Sequence, residues 1–425
     1  MGLATAYYLN KKGIQVTILE KEKEIGGLSR SVEILPGVRW DRFYHVILST
    51  DYELLEFLEE VGLAIDANWR ETKTGFYTDG KLHSMSNTTE FLKFEPLSLV
   101  DKLRLGIGIL YSSKITNWRR LEKIYVKTWL IRVFGHRNYE KMWEPLLRSK
   151  LGSAKDHASA ALIWAIIKRY YGTRHTSSKK ELLGCVRGGY HSLLNQLCDY
   201  LSRNGTRIIT NCHAESVQFQ NSSRIRVQSR CGGPFKFDRV IATVPNQTIV
   251  QLIREMSTEF RSKLEAINYL SIICVTLVLK RNLTPFYVTN LTDDGFPFTG
   301  LIEASNVIPK EILGGNTLIY LPKYLPLGDP YYDKTDEEIF EIFFKALKHM
   351  FPDLLDKDIV SQSVNREPYV QPIQDICYSD KVSSIKTPLK NFYMVNTTMI
   401  LNSTLNNNEV IKLARKTVDL VTNDD

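Results

Sequence analysis

Residues 1–31 read MGLATAYYLNKKGIQVTILEKEKEIGGLSRS, and their order decides the fold. An apolar helical stretch follows Gly2 at once. Gly13 then supplies a turn, IQVTIL an apolar strand, and Glu20 a carboxylate at the end of that strand. Helix, turn, strand and terminal acid form the later part of a nucleotide-binding βαβ unit. In such a unit a first strand runs into G-x-G-x-x-G, and the helix N-terminus holds a pyrophosphate. The acid closing the second strand bonds ribose hydroxyls about 20 residues on. Glu20 lies 18 residues after Gly2, which sets Gly2 as the third glycine, the one that allows close helix–strand packing. A surface glutamate after a strand is the plain alternative.

The residues that follow sharpen the reading. Gly26 and Gly27 let the backbone approach a ligand without an intervening Cβ. Arg30 offers paired donors to a pyrophosphate, and Lys21 joins Glu20 in the candidate set. The bland alternative is a glycine turn with a solvated arginine.

The chain of 425 residues is 43% hydrophobic and 24% charged, enough for two or three packed globular domains. No apolar run reaches the roughly 18 residues of a membrane span. The stretch LSIICVTLVL (270–279) reads as a buried strand. The charged run 20–24 argues against a secretory leader. The six cysteines are scattered without a CxxC, so we expect no metal site, no disulfide framework, reduced thiols and a cytoplasmic chain. Of the net charge of +8, residues 101–150 hold twelve Lys/Arg against four acids, interleaved with Trp118, Trp129, Leu and Ile at helical spacing. This is either a solvated face backed by a core face, or a surface for a phosphorylated substrate or for peripheral contact with an anionic membrane. No nucleic-acid motif accompanies the charge.

Nucleotide-type pieces recur. Residues 1–45, 186–250 and 386–425 carry helix–strand alternation, including GGYHSLLNQLCDYLSRNG and FDRVIATVP. Residues 46–185 are largely helical, and 251–385 mix helices with long strands. The expected fold is α/β: a Rossmann-like cofactor domain assembled from three discontinuous segments, with an inserted α+β substrate-binding domain.

The acid-ended strand, GGLSR (26–30), VRGGYHSLLNQL (186–197) and FDRVIATVP together resemble the FAD-dependent oxidoreductases of the amine oxidase, protoporphyrinogen oxidase and phytoene desaturase group, over nearly the whole chain. YHVI, WEPLLRSKLG and YVQPI resemble a bacterial branch of that group. The resemblance implies FAD as cofactor. It implies Glu20 at the adenosine ribose, with Gly26, Gly27 and Arg30 along the pyrophosphate and the flavin approach. It further implies Ala214 at adenine through its backbone, and Thr243 near the dinucleotide. Asn396 stands where the group has Gly-Asp, and its amide can bond a phosphate or ribitol oxygen. His45, in WDRFYHVI with Asp41 four residues earlier, falls beside the flavin ring; a structural histidine is the alternative. Arg187 and Tyr190 are substrate-side candidates. No strong base is required, because a flavin accepts the electrons.

The function implied is hydride removal from a C–C or C–N bond of a small organic molecule. One alternative is a flavin-dependent sugar-nucleotide mutase of the UDP-galactopyranose type, with the basic 101–150 block on the nucleotide. Another is a cofactor-free remnant, because the first strand and first two glycines of the fingerprint do not precede Gly2. On that ground the chain as written is expected to bind FAD poorly and to fold less well than an upstream-extended version.

Overall fold

The computed structural model describes residues 1–63, 69–173, 182–219, 224–401 and 403–423. Helix α1 (Gly2–Lys11) buries Ala4 through Leu9 without a break. A helix apolar all round must be covered all round. Here α2 (Tyr52–Glu60), α6 (Gly189–Arg203) and α9 (Asn407–Thr422) enclose it. Gly13, at φ +75°, ends it by donating to the Asn10 carbonyl at 2.9 Å. Strand β1 (Thr17–Leu19) follows and pairs in parallel with β9 (Arg207–Ile209). A second parallel pair joins β13 (Val240–Ala242) to β19 (Phe392–Met394). The two pairs share no ladder; Met1, Ile18, Leu19 and Ile241 pack in the clusters that join them. Three separated segments thus build one α/β unit, as the recurrence of nucleotide-type pieces predicts.

An antiparallel meander of β10 (Ala214–Phe219), β11 (Ile225–Ser229) and β12 (Gly232–Phe237) flanks this unit. It corrects the expectation of reduced thiols throughout. Cys212 precedes β10 and Cys231 lies in the β11–β12 turn, so the meander brings their Cα atoms to 4.8 Å and they form a disulfide. Cys185, Cys198, Cys274 and Cys377 are free.

The inserted part centres on a seven-stranded sheet ordered β18 (Ile359–Pro372), β14 (Tyr269–Leu279), β17 (Thr317–Pro326), β16 (Gly300–Glu303), β15 (Val288–Leu291), β6 (Thr74–Thr78), β7 (Lys81–Ser84). Every residue of β14 is buried, which explains its unbroken apolar run. Phe343 and Leu347 of helix α8 (Asp336–Met350) pack with Ile273 and Leu277 of β14 on one side of the sheet. Ile272, Cys274 and Tyr320 face the other way, toward Trp40 and Phe43. Trp40 lies in β3 (Val38–Asp41), the partner of β2 (Ser31–Leu35), and Phe43 in the turn from β3 to β4 (Ile47–Leu48). A small sheet, β4–β8 (Leu182–Gly184)–β5 (Arg70–Glu71), ties that turn to the helices.

A helical layer of α3 (Leu99–Lys114), α4 (Val126–Phe134) and α5 (Ala160–Thr173) packs around Trp129, Phe134 and Trp164. α4 buries its periodic apolar face, including Val126, Trp129, Leu130 and Phe134. α3 does not follow the expected pattern of core face and solvated face. It buries Lys102, Leu105, Gly108 and Ser112 and turns most of its large apolar side chains outward. α2 lies within residues 46–185, yet its Leu54, Phe57 and Leu58 pack into the core around α1.

Candidate active site

The carboxyl ends of β1 and β13 lead directly into Glu20 and Thr243, and that of β19 leads through Val395 into Asn396. In a parallel α/β sheet this is the edge where ligands bind. Glu20 is fixed by its backbone: its N–H donates to the Ile209 carbonyl at 2.9 Å, and its own carbonyl accepts from the Cys212 N–H at 2.8 Å. Its carboxylate accepts from the Glu22 N–H at 3.0 Å and forms no ion pair with a described residue, so it keeps acceptor capacity for hydroxyls. Ala214 opens β10 two residues beyond Cys212, in the segment tied to Glu20. Lys21 points outward to Glu22 at 3.7 Å. Arg30 bonds the same Glu22 at 3.3 Å across the glycine turn.

The two glycines differ. Gly26 has φ +123°, and a Cβ there would lie 2.6 Å from Leu194 Cδ1 and 3.2 Å from the Arg30 backbone. Gly27 has φ +55° and nothing within 4 Å of a built Cβ, so its surface is open. At the start of α1, a Cβ on Gly2 would lie 3.1 Å from Thr243 Oγ1, which is the close approach expected of the third fingerprint glycine. Nearby, Ser29 Oγ lies 3.4 Å from Asn407 Oδ1. The Asn407 amide also donates toward the Tyr190 phenol, which opposes the rise that burial gives that group. An open glycine surface, a helix N-terminus and an uncommitted carboxylate fit a ligand rich in phosphate and hydroxyl oxygens. FAD has that chemistry.

Asn396 plays a different part from the one read in the sequence. Its Nδ2 donates to the Val244 carbonyl at 2.9 Å and to Asn246 Oδ1 at 3.0 Å. Its Oδ1 accepts from the Thr398 N–H and hydroxyl at 3.0 and 2.7 Å. That fills the usual capacity of the amide. The side chain therefore locks the segment after β19 onto the one after β13, and is not free to bond a phosphate or ribitol oxygen.

Of the substrate-side candidates, His45 and Tyr190 meet, with rings 5.0 Å apart. Asp41 stands behind them: its Oδ1 accepts from the Tyr190 N–H at 2.9 Å and from Ser31 Oγ at 3.3 Å. Burial pushes the Asp41 carboxyl up to about 7 and the His45 imidazole down to about 4. His45 is therefore neutral at pH 7. Because Nδ1 lies 2.9 Å from the Phe43 carbonyl, which only accepts, the proton is assigned to Nδ1 and Nε2 is left as an acceptor. The 3.8 Å approach of His45 to Asp41 is then a polar contact and not an ion pair. Burial also raises the Tyr190 phenol, which stays protonated. Arg187 is exposed just before the Gly188–Gly189 turn.

Several further residues escaped the sequence reading. Tyr44 and Tyr324 hydroxyls lie 2.9 Å apart where the β3–β4 turn meets β17. Lys150 Nζ stands 5.8 Å from the Tyr324 ring, and burial lowers its pKa. Arg42 bonds Glu367 at 2.6 Å on the same side of the sheet. No spacing links residues 44, 150 and 324; only the meeting of the turn, the helical layer and the sheet does. Among the described residues no cluster suited to a metal ion occurs.

The comparisons agree with this geometry. The family model for flavin-containing amine oxidoreductases matches residues 2–393. No curated protein matches the chain. Among solved structures, a putative protoporphyrinogen oxidase from Exiguobacterium sp. 255-15 is similar, with TM-score 0.77 at 17% identity, covering 100% of this chain and 97% of that one. An oxidoreductase from Methanosarcina mazei gives TM-score 0.73 at 17% identity, over 99% and 97% of the two chains. A redesigned putrescine oxidase gives 0.76 at 14% identity, over 100% and 97%. At such identities these structures speak to the fold, while the family match covers most of the sequence. The chain belongs to the flavin-containing amine oxidoreductase family.

Proposed function

We propose that this FAD-dependent oxidoreductase takes a hydride from a carbon–nitrogen bond of a small organic amine, with a C–C bond as the other member of the same reaction class. One observation carries the reading: Glu20, the Gly26–Gly27 turn and the N-terminus of α1 converge at the carboxyl edge of the parallel strands. When bound, the flavin supplies the two-electron acceptor. The protein's own residues bind and orient. Glu20 takes the ribose hydroxyls, the glycine turn admits the pyrophosphate, and Asn396 holds the two supporting segments together. Neutral His45 offers Nε2 as an acceptor, and Asp41 fixes Tyr190 beside it. Tyr44, Tyr324 and Lys150 gather hydroxyls and an amine where the β3–β4 turn meets β17.

The sugar-nucleotide mutase reading draws no support from the basic 101–150 block. Much of its charge, including Arg119, Arg120, Lys123 and Lys127, is exposed on the outside of the helical layer. Anaerobic mixing of the flavin-loaded protein with a panel of primary and secondary amines tests the proposal. Bleaching of the flavin absorbance by at least one amine is expected. Turnover of a nucleotide sugar with no net flavin reduction would contradict it.

A further inference from the structure

α3 is an inside-out helix. Leu99, Val100, Leu103, Ile107, Leu110 and Tyr111 are 50–75% exposed. At 3.6 residues per turn they share one stripe about 120° wide. The opposite side is anchored by polar and small residues. Lys102 Nζ donates to the Leu92 carbonyl at 2.7 Å, and Asn138 Nδ2 donates to the Asp101 carbonyl at 2.9 Å. Trp164 Nε1 donates to the Ser112 carbonyl at 3.1 Å. A Cβ on Gly108 would meet the Phe134 ring at 2.6 Å, so α3 and α4 touch there without room to rotate. The helix is therefore docked by the side that carries Lys102, Leu105, Gly108 and Ser112, and its wider apolar stripe is left facing outward. Leu92, 53% exposed, belongs to the segment just before this helix.

The stripe has a cationic frame. Lys114 ends the helix, Arg104 flanks it, and Arg119, Arg120 and Lys123 lie just beyond it. None of these five is ion-paired to a described residue. Single exposed apolar residues are ordinary, but a contiguous stripe within a basic frame marks an interaction surface. A second copy of the chain would bring two cationic frames together. An anionic bilayer supplies both hydrocarbon for the stripe and negative headgroups for the frame. At 1.5 Å per residue the helix is about 24 Å long, suited to lying in the interface plane. No described helix is long and apolar enough to cross a membrane. We propose that the exposed face of α3, with Lys114, Arg119 and Arg120, seats the protein on the surface of an anionic lipid bilayer.

Co-sedimentation of the full chain with lipid vesicles tests this. Vesicles of phosphatidylcholine with about one-third phosphatidylglycerol are expected to bind roughly tenfold more protein than phosphatidylcholine alone. Leu103→Glu with Ile107→Glu is expected to reduce that binding roughly tenfold or more. Its melting temperature should hold, because both side chains point outward. Arg119→Glu with Arg120→Glu should remove the preference for anionic vesicles. Absence of wild-type binding to anionic vesicles, or unchanged binding by the Leu103/Ile107 variant, would overturn the proposal. So would light scattering that shows a dimer dissolved by that variant without vesicle binding, which assigns the face to a second copy.

Discussion

Gly26 and Gly27 stand side by side, and the physics separates their roles. Alanine at Gly26 meets both a disallowed φ and the Arg30 backbone, so Gly26→Ala should lower stability by about 1–3 kcal/mol. Gly27→Ala has open space and a φ that L residues tolerate at about 1 kcal/mol. Both should lower flavin content, but only the first should shift the denaturation midpoint strongly; equal shifts would refute the distinction. Asp41 gives a second test at this scale. Its pKa rises from 3.8 unfolded to about 7 folded, so between those values the folded state binds the extra proton. Stability from this group is full below about pH 4 and is lost as pH rises through 7, by an upper bound on the order of 4 kcal/mol. His45 acts with the opposite sign: its pKa falls from 6.5 to about 4, so its contribution is present above 6.5 and is lost as pH falls through 4. The two therefore oppose each other below pH 6.5, and the carboxyl acts without that opposition above it. Asp41→Asn should gain stability on the wild type between pH 5 and 8, read as a widening difference in urea midpoint. A difference that stays flat with pH would show that Asp41 is ionised normally.

The parallel pairs β1–β9 and β13–β19 are short, and the segments after them depend on side-chain ties. Asn396→Ala removes four hydrogen bonds and strands buried groups on Asn246 and Thr398. We expect a loss of about 3 kcal/mol together with reduced flavin retention. Thr335→Ala removes the capping box of α8, at about 1 kcal/mol, and should leave flavin untouched, since α8 lies on the far side of the large sheet. Urea titration beside flavin absorbance separates the two; flavin loss in the Thr335 variant would contradict the assignment of elements. The strand β1, the helices α1 and α6 and the buried strand β14 were legible in sequence, because their apolar periods are local. The outward face of α3 was not. Its pattern alone permits either face to dock, and the choice rests on contacts with Leu92, Phe134, Asn138 and Trp164. The Cys212–Cys231 link was hidden for the same reason: a separation of 19 residues says nothing until the meander folds back.

At the scale of the whole molecule, the cofactor unit is built from chain segments hundreds of residues apart, and the β2–β3 ribbon lies between helix α6 and strand β18 of the large sheet. The nucleotide end of the proposed site could be proposed from sequence because glycines and a strand-end carboxylate carry fixed tasks. The ring end was only partly readable. His45 and Tyr190 do come together, but Tyr44, Lys150, Tyr324 and the exhausted amide of Asn396 depend on how distant pieces meet. The central claim is that FAD lies along Glu20 and the Gly26–Gly27 turn, and flavin-stripped protein tests it most directly through binding of FAD and FMN to the wild type and to Glu20→Ala. On the proposed reading Glu20 bonds the adenosine ribose, which FMN lacks. The account predicts a roughly tenfold or greater loss of FAD affinity in the variant, as for hydrogen bonds to a charged group, with FMN affinity unchanged. Unchanged FAD affinity, or an equal loss for both flavins, would contradict it.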